Sequence, residues 1–379
     1  MWRWLPMPRE WTSSYPPRAT ARSLGLTTGI LPTGSQNDIA DVPGVRVGHA
    51  TVCAGAGPLV RGDGPVRTGV TAILPHGGNL FAEKVPANVF VLNGFGKSMG
   101  LPQVQELGLL ETPILLTNTL SAFGVADALV SYMVEQNPEI GVTTGTVNPL
   151  VGECNDGFLN DIQGRHVREE HVRAALAEAA EAEGPVVQGC VGAGTGTMCF
   201  GFKGGIGSAS RVVGDYAVGA LVQANFGRRS DLLVDGVPVG QDLLQYPGEE
   251  GPEPEDVPPG SIMVVLATNA PLDARQIGRL CKRGALGLAR IGGSAGNGSG
   301  DFVVGFSTAY RVPHAAPGEM ASFTVLRDDA PAMDRLFLAA VEAVEEAVVN
   351  ALFTARTVEG RDGHIGFALP VSRILSRID

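Results

Sequence analysis

Paired cysteines are missing from this chain. Cys53, Cys154, Cys190, Cys199 and Cys281 lie far apart, and none forms a CxxC or a zinc-like Cys/His spacing. That pattern argues against a disulfide framework and a structural metal, fits a reduced compartment, and gives no reason to expect a cofactor. Aromatic side chains make up only 6% of the chain while glycine numbers 52, as suits a glycine-rich α/β enzyme better than a helical bundle. Positive charge is also short: 28 Lys and Arg against 39 Asp and Glu leave a net charge of −11. Long-range repulsion then disfavours duplex nucleic acid or an anionic membrane as partner. No apolar run is long enough to span a bilayer. Residues 1–25 carry Arg3, Arg9, Arg18 and Arg22 among three tryptophans but lack the apolar stretch of a secretory signal. The expectation is a flexible arm over residues 1–36 on a cytoplasmic protein. No GxSxG elbow occurs, and the six histidines stand in no triad context.

What is present reads as one layered α/β domain. DIADVPGVRVGHATV alternates around a Pro-Gly turn like a half-buried hairpin. Helical spacing follows at Val125, Leu129, Tyr132 and Met133, and again at Val167, Val172, Leu176 and Ala179. A helix is predicted from Leu272 to Leu288 and a long one from about Pro331 to Leu352, the latter with one core-facing stripe from Met333 to Leu352. VGAGTGT has the skeleton of a dinucleotide loop, but MCFGFKGGIG follows it instead of a helix, so nothing would hold a pyrophosphate.

The sharpest change in the text lies at Gly260-Ser261. Residues 247–260, PGEEGPEPEDVPPG, hold five prolines and five acids and predict an exposed connector. SIMVVLATNAPL follows at once and reads as a fully buried strand. A Gly-Ser bond at such a junction permits attack by the serine hydroxyl on the glycine carbonyl. Cleavage would leave a serine whose own α-amine, with a reference pKa of about 7.7 to 8.0, can serve as base. On its own the dipeptide is weak evidence for this and reads first as a turn entering a strand. NGSGD near Ser299 likewise reads as a turn, and Asn225 before Phe-Gly as the end of a strand.

Nine collinear stretches, among them DVPGVRVGHATV, GECNDGFLNDI, GFKGGIGSASRVV, GALVQANFG, PPGSIMVVLATNAPL and GNGSGDFVVGFSTAY, resemble the DmpA family of L-aminopeptidase/D-esterases and β-peptidyl aminopeptidases. The resemblance runs from about Asn37 to Leu369. It implies an αββα sandwich of the DmpA/ornithine-acetyltransferase type, with N-terminal-nucleophile chemistry and autoprocessing of one catalytic domain into residues 37–260 and 261–379. It also implies a small peptide, amide or ester substrate and a homotetramer of processed pairs.

For the site, the resemblance implies Ser261 as nucleophile, supported by Ser299 and Asp301. Asn225 becomes an oxyanion donor and Glu153 the anchor of the substrate amine. Asn155 falls where some relatives carry an aromatic hydroxyl. Some relatives carry Glu where this chain has Asp301. Two other readings belong to the same architecture: an acyltransferase of the ornithine-acetyltransferase type, whose members resemble threonine-nucleophile enzymes, and a processed scaffold without turnover.

Overall fold

The structure, a computed structural model, describes residues 18–244, 246, 260–315 and 318–378. Two β-sheets form its centre. The smaller has the strand order Arg46–Ala54, Val66–Leu74, Ile114–Asn118, Leu150–Cys154, with only the last pair parallel. The larger runs Val312–Pro313, Glu83–Gly94, Gly300–Ser307, Ser261–Thr268, Tyr216–Asn225, Gly205–Val213, and Leu109–Leu110 also pairs with Glu83–Gly94. Its one parallel pair joins Ser261–Thr268 to Gly300–Ser307. Parallel neighbours need a crossover, which the helix Ala274–Arg290 supplies. That helix starts at a capping box in which Asp273 and Gln276 satisfy each other's backbone N–H groups.

The period-two alternation of strand side chains creates the layers. In Ser261–Thr268, Met263, Val265 and Ala267 pack toward the smaller sheet, against a core that includes Ile73, Leu116 and Cys154. Ile262, Val264 and Leu266 face the opposite way, onto the helices Ala274–Arg290 and Pro331–Thr354. Ala122–Gln136 and Glu169–Glu181 cover the outer face of the smaller sheet. The result is the helix–sheet–sheet–helix sandwich expected. All eight residues of the 261–268 strand are buried, which is why its sequence is apolar without alternation.

Three expectations need correction. Pro43 and Gly44 do not join two strands: they follow a short turn of helix, Ile39–Asp41, and the partner of Arg46–Ala54 is Val66–Leu74. The helix Pro331–Thr354 is buried well beyond one stripe, including Glu342, Glu345 and Glu346. Gly207 lets it approach the sheet, since a Cβ there would lie 1.9 Å from the Ala347 carbonyl oxygen.

Nor are residues 18–36 a flexible arm. Ala21, Leu26 and Leu31 enter the core, and the Ala21 N–H donates to Asn350 Oδ1 at 2.8 Å. Ile30 and Leu31 N–H groups donate to Glu342, and Arg22 to Glu346. A reading of hydropathy along the arm does not reveal carboxylates brought from more than 300 residues away. Residues 1–17 of the expected arm and 247–259 of the expected connector lie outside the described residues.

Candidate active site

Ser261 is the first residue of its strand, and the strand register fixes its surroundings. It lies opposite Asn225 in the antiparallel neighbour and opposite Gly300 in the parallel one. Residues directly opposite in an antiparallel pair project to the same face, with Cβ atoms about 4.5–5.5 Å apart. Ser261 and Asn225 are therefore side by side, and both are buried. A Cβ added at Gly260 would lie 1.6 Å from the Asn225 carbonyl oxygen, so no side chain fits before the serine.

The Asn225 amide is oriented. Its Oδ1 accepts the Met198 N–H at 2.9 Å, so the other end of the amide is the NH2 donor. Beyond Gly300, Ser299 Oγ donates to Asp301 Oδ1 at 2.6 Å. Asp301 Oδ2 is buried with no hydrogen-bond partner in the structure. Burial pushes the Asp301 carboxyl up to about 6, against the opposing pull of the Ser299 hydrogen bond.

Glu153, near the end of the strand Leu150–Cys154, is also buried. One carboxylate oxygen accepts the Lys97 N–H at 2.7 Å and the other accepts the Thr119 hydroxyl. An ionised carboxylate has roughly four lone-pair sites, so capacity remains for an ammonium. The segment Phe95–Lys97 links this carboxylate to Gly300–Ser307, the parallel neighbour of the nucleophile strand. A Cβ on Gly96 would lie 3.3 Å from Glu153 Oε1, and one on Gly300 would lie 3.2 Å from Gly96 Cα. Asn155 stands apart: it is exposed, and its Oδ1 accepts the Gly157 N–H in a local turn.

With this geometry in place, the comparisons with known proteins decide the family. The model of peptidase family S58 matches residues 37–366. The chain belongs to peptidase family S58. The β-peptidyl aminopeptidase BapA of Sphingosinicella microcystinivorans is 42% identical over 366 residues, covering 92% of this chain and 89% of that protein. The crystal structure of the PH0078 protein from Pyrococcus horikoshii superposes with a TM-score of 0.88 at 52% identity, covering 94% of this chain and 98% of that one. The L-aminopeptidase D-Ala-esterase/amidase of Ochrobactrum anthropi, described as a prototype of the serine aminopeptidases and a variant of the Ntn hydrolase fold, gives 0.84 at 39% identity, covering 94% and 97%. This S58 chain is accordingly a hydrolase with the same mixed α/β fold.

Several partners of the S58 site carry no motif of their own. Thr119 and the Lys97 N–H meet Glu153 only after folding, and Asn93 Nδ2 donates to the Gly296 and Asn297 carbonyls at 3.1 Å and to that of Ser299, clamping the turn before Asp301. A β-bulge beside Asp301, where the register with Glu83–Gly94 shifts, places that clamp. Cys154 is a wall residue. Its thiol is buried, pushed well up by desolvation, and lies 3.4 Å from the Ser261 carbonyl oxygen. His76 bridges the Glu83 carbonyl and the Gly78 N–H, and His364 contacts the Phe158 carbonyl while stacking on its ring. Among the described residues, no group of three His, Cys, Asp or Glu side chains is arranged to hold a metal, and no helix is long and apolar enough to cross a membrane.

Proposed function

We propose that this S58 peptidase cuts itself between Gly260 and Ser261 and then releases N-terminal residues from peptides, amides and esters through an acyl-enzyme on Ser261. The observation that carries this reading is the junction itself: a glycine with no room for a side chain, a serine opening a buried strand, and an amide donor directly opposite. In self-cleavage Ser261 Oγ attacks the Gly260 carbonyl carbon and the C–N bond breaks. Water then hydrolyses the resulting ester, leaving a Gly260 carboxylate and a free Ser261 amine.

In turnover that amine takes the hydroxyl proton as Oγ attacks the substrate carbonyl. The Asn225 NH2 group stabilises the oxyanion, and the proton passes to the departing amine or alcohol. Water repeats the sequence to release the acyl group. Asp301, acting through Ser299, orients the amine. Glu153 anchors the substrate ammonium by charge-assisted hydrogen bonds. A β-amino acid places one more methylene between its ammonium and its carbonyl than an α-amino acid does, so the span from Glu153 to Ser261 sets the choice between them. The names of the similar proteins support β-peptidyl amides and D-amino esters or amides as the first substrates to try. The family resemblance supports a cytoplasmic homotetramer of processed pairs.

Glu153→Gln tests the assignment. The variant is expected to cleave itself normally and to lose about tenfold or more in kcat/KM on substrates with a free amine, at the scale of one charged hydrogen bond. N-acylated esters should be far less affected. Equal losses on both substrate types would make Glu153 a structural residue.

A further inference from the structure

Lys203 is buried completely, and no carboxylate among the described residues is within ion-pair distance of it, although the buried Asp156 interacts with it electrostatically from farther off. Its Nζ donates three hydrogen bonds of 2.9 Å, to the carbonyls of Gly194, Thr197 and Gly204. Burial pushes the Lys203 pKa down, while three carbonyl oxygens at 2.9 Å match the three donors of the ammonium form, against two on a neutral amine. A charge held in the core chiefly by backbone carbonyls is costly, and an apolar residue of similar length would fill the same space.

The identity of one acceptor links Lys203 to the active site. The Thr197 carbonyl and the Met198 N–H belong to the same planar peptide group. Lys203 binds the oxygen of that group, and its N–H donates to Asn225 Oδ1 at 2.9 Å. The short hairpin that pairs Met198 with Lys203 holds both in register. The Gly204 N–H adds a second bond to the Thr197 carbonyl at 3.0 Å. Glycines let the segment come this close, since a Cβ at Gly196 would lie 2.1 Å from the Arg67 carbonyl oxygen.

We propose that Lys203 is a positioning residue for catalysis: through the Thr197–Met198 peptide it fixes and polarises the Asn225 amide, so that the NH2 group points at the carbonyl attacked by Ser261. The chain of donors runs from the ammonium to the Thr197 carbonyl, from the Met198 N–H to Asn225 Oδ1, and from Asn225 Nδ2 to the oxyanion. Each bond in such a chain strengthens the next. Without the ammonium, the Thr197 carbonyl keeps only the Gly204 N–H, so the peptide plane is held less firmly and the Met198 N–H is less polarised toward Asn225 Oδ1. The inference rests on the reading of Asn225 as oxyanion donor.

The test is a double-mutant cycle on the processed enzyme with an amide substrate, using Lys203→Met and Asn225→Ala singly and together and recording a melting curve for each. Asn225→Ala alone is expected to lower kcat about 100-fold or more, at the scale of one oxyanion donor. Lys203→Met should lower kcat about tenfold or more with KM within about twofold. In the Asn225→Ala background it should lower kcat no further. Equal fold losses in both backgrounds would overturn the role of Lys203 while leaving Asn225 in place. Unchanged kcat in Asn225→Ala would instead remove the oxyanion assignment, and this inference with it. If Lys203→Met does not fold, Lys203→Leu, which likewise removes the donor to the Thr197 carbonyl, is read by the same criteria. If neither variant folds, Lys203 is a structural residue and the proposal fails.

Discussion

Arg211 and Asp301 are both buried on the larger sheet, but their partners differ. Arg211 Nε bonds Glu342 at 2.9 Å and its terminal nitrogens bond Glu346 at 2.7 Å and the carbonyls of Ser210 and Thr28. Glu342 also accepts the Ile30 and Leu31 N–H groups, while Glu346 accepts from Arg22 and Asn37. Every carboxylate oxygen there has at least one donor. At the other cluster, Asp301 has one oxygen on Ser299 and the other with no partner. Burying a carboxylate oxygen without a donor is unfavourable and is rarely left so in a structural network. The two clusters thus separate into one whose carboxylates are all satisfied and tie residues 18–36 to the core, and one that leaves a carboxylate oxygen without a donor on the strand beside that of Ser261.

Breaking the first cluster gives the largest expected effect. Arg211→Met leaves two glutamates buried without their cation, a change worth about 3–5 kcal/mol in stability. The specific activity of the fraction that remains folded should be unchanged. A denaturant titration paired with active-site titration checks both halves. Loss of activity at full stability would erase the distinction between the clusters.

A smaller effect sharpens the second cluster. Because burial raises the Asp301 pKa from 3.8 to about 6, the fold favours its protonated form. Its contribution to stability is fully present below pH 3.8 and is lost as pH rises through about 6. The mechanism proposed above needs the opposite state, the carboxylate that would orient the Ser261 amine through Ser299. With the amine itself titrating near its reference value of about 7.7 to 8.0, log kcat/KM should climb with slope two below pH 6 and slope one between 6 and the amine. In Asp301→Asn the slope below pH 6 should fall to one, and the melting temperature at neutral pH should match or exceed that of the natural chain. An unaltered profile in the variant would detach Asp301 from the reaction.

The same contrast explains what could be read in advance. The helices near 122–136, 169–181 and 274–290 follow from periodicity, because each presents a regular face to a core, and the strand after Gly260 follows from an unbroken apolar run, because both its faces are buried. The proposed site residues with a local motif, Ser261, Asn225, Ser299, Asp301 and Glu153, each sit in a short stretch resembling the family. Contacts made across the fold were not legible. Lys203 reads as one more polar residue in a glycine run, and Thr119 as a helix approach. Arg22 reads as part of a basic arm, whereas its partner Glu346 lies on a helix near the far end of the chain. Asn155 shows the converse, a residue suggested by its neighbours in sequence that the fold leaves exposed.

The central claim is that Ser261, freed at a new N-terminus, carries the acyl group. Intact-mass analysis of protein quenched during turnover of an aminoacyl ester addresses it in one measurement. The account predicts two fragments, residues 1–260 and 261–379 of the 379-residue chain, with the substrate's acyl mass added to the second and mapped to its first residue. An active preparation consisting of one unbroken 39.3 kDa chain, or an acyl adduct on the 1–260 fragment, would contradict it.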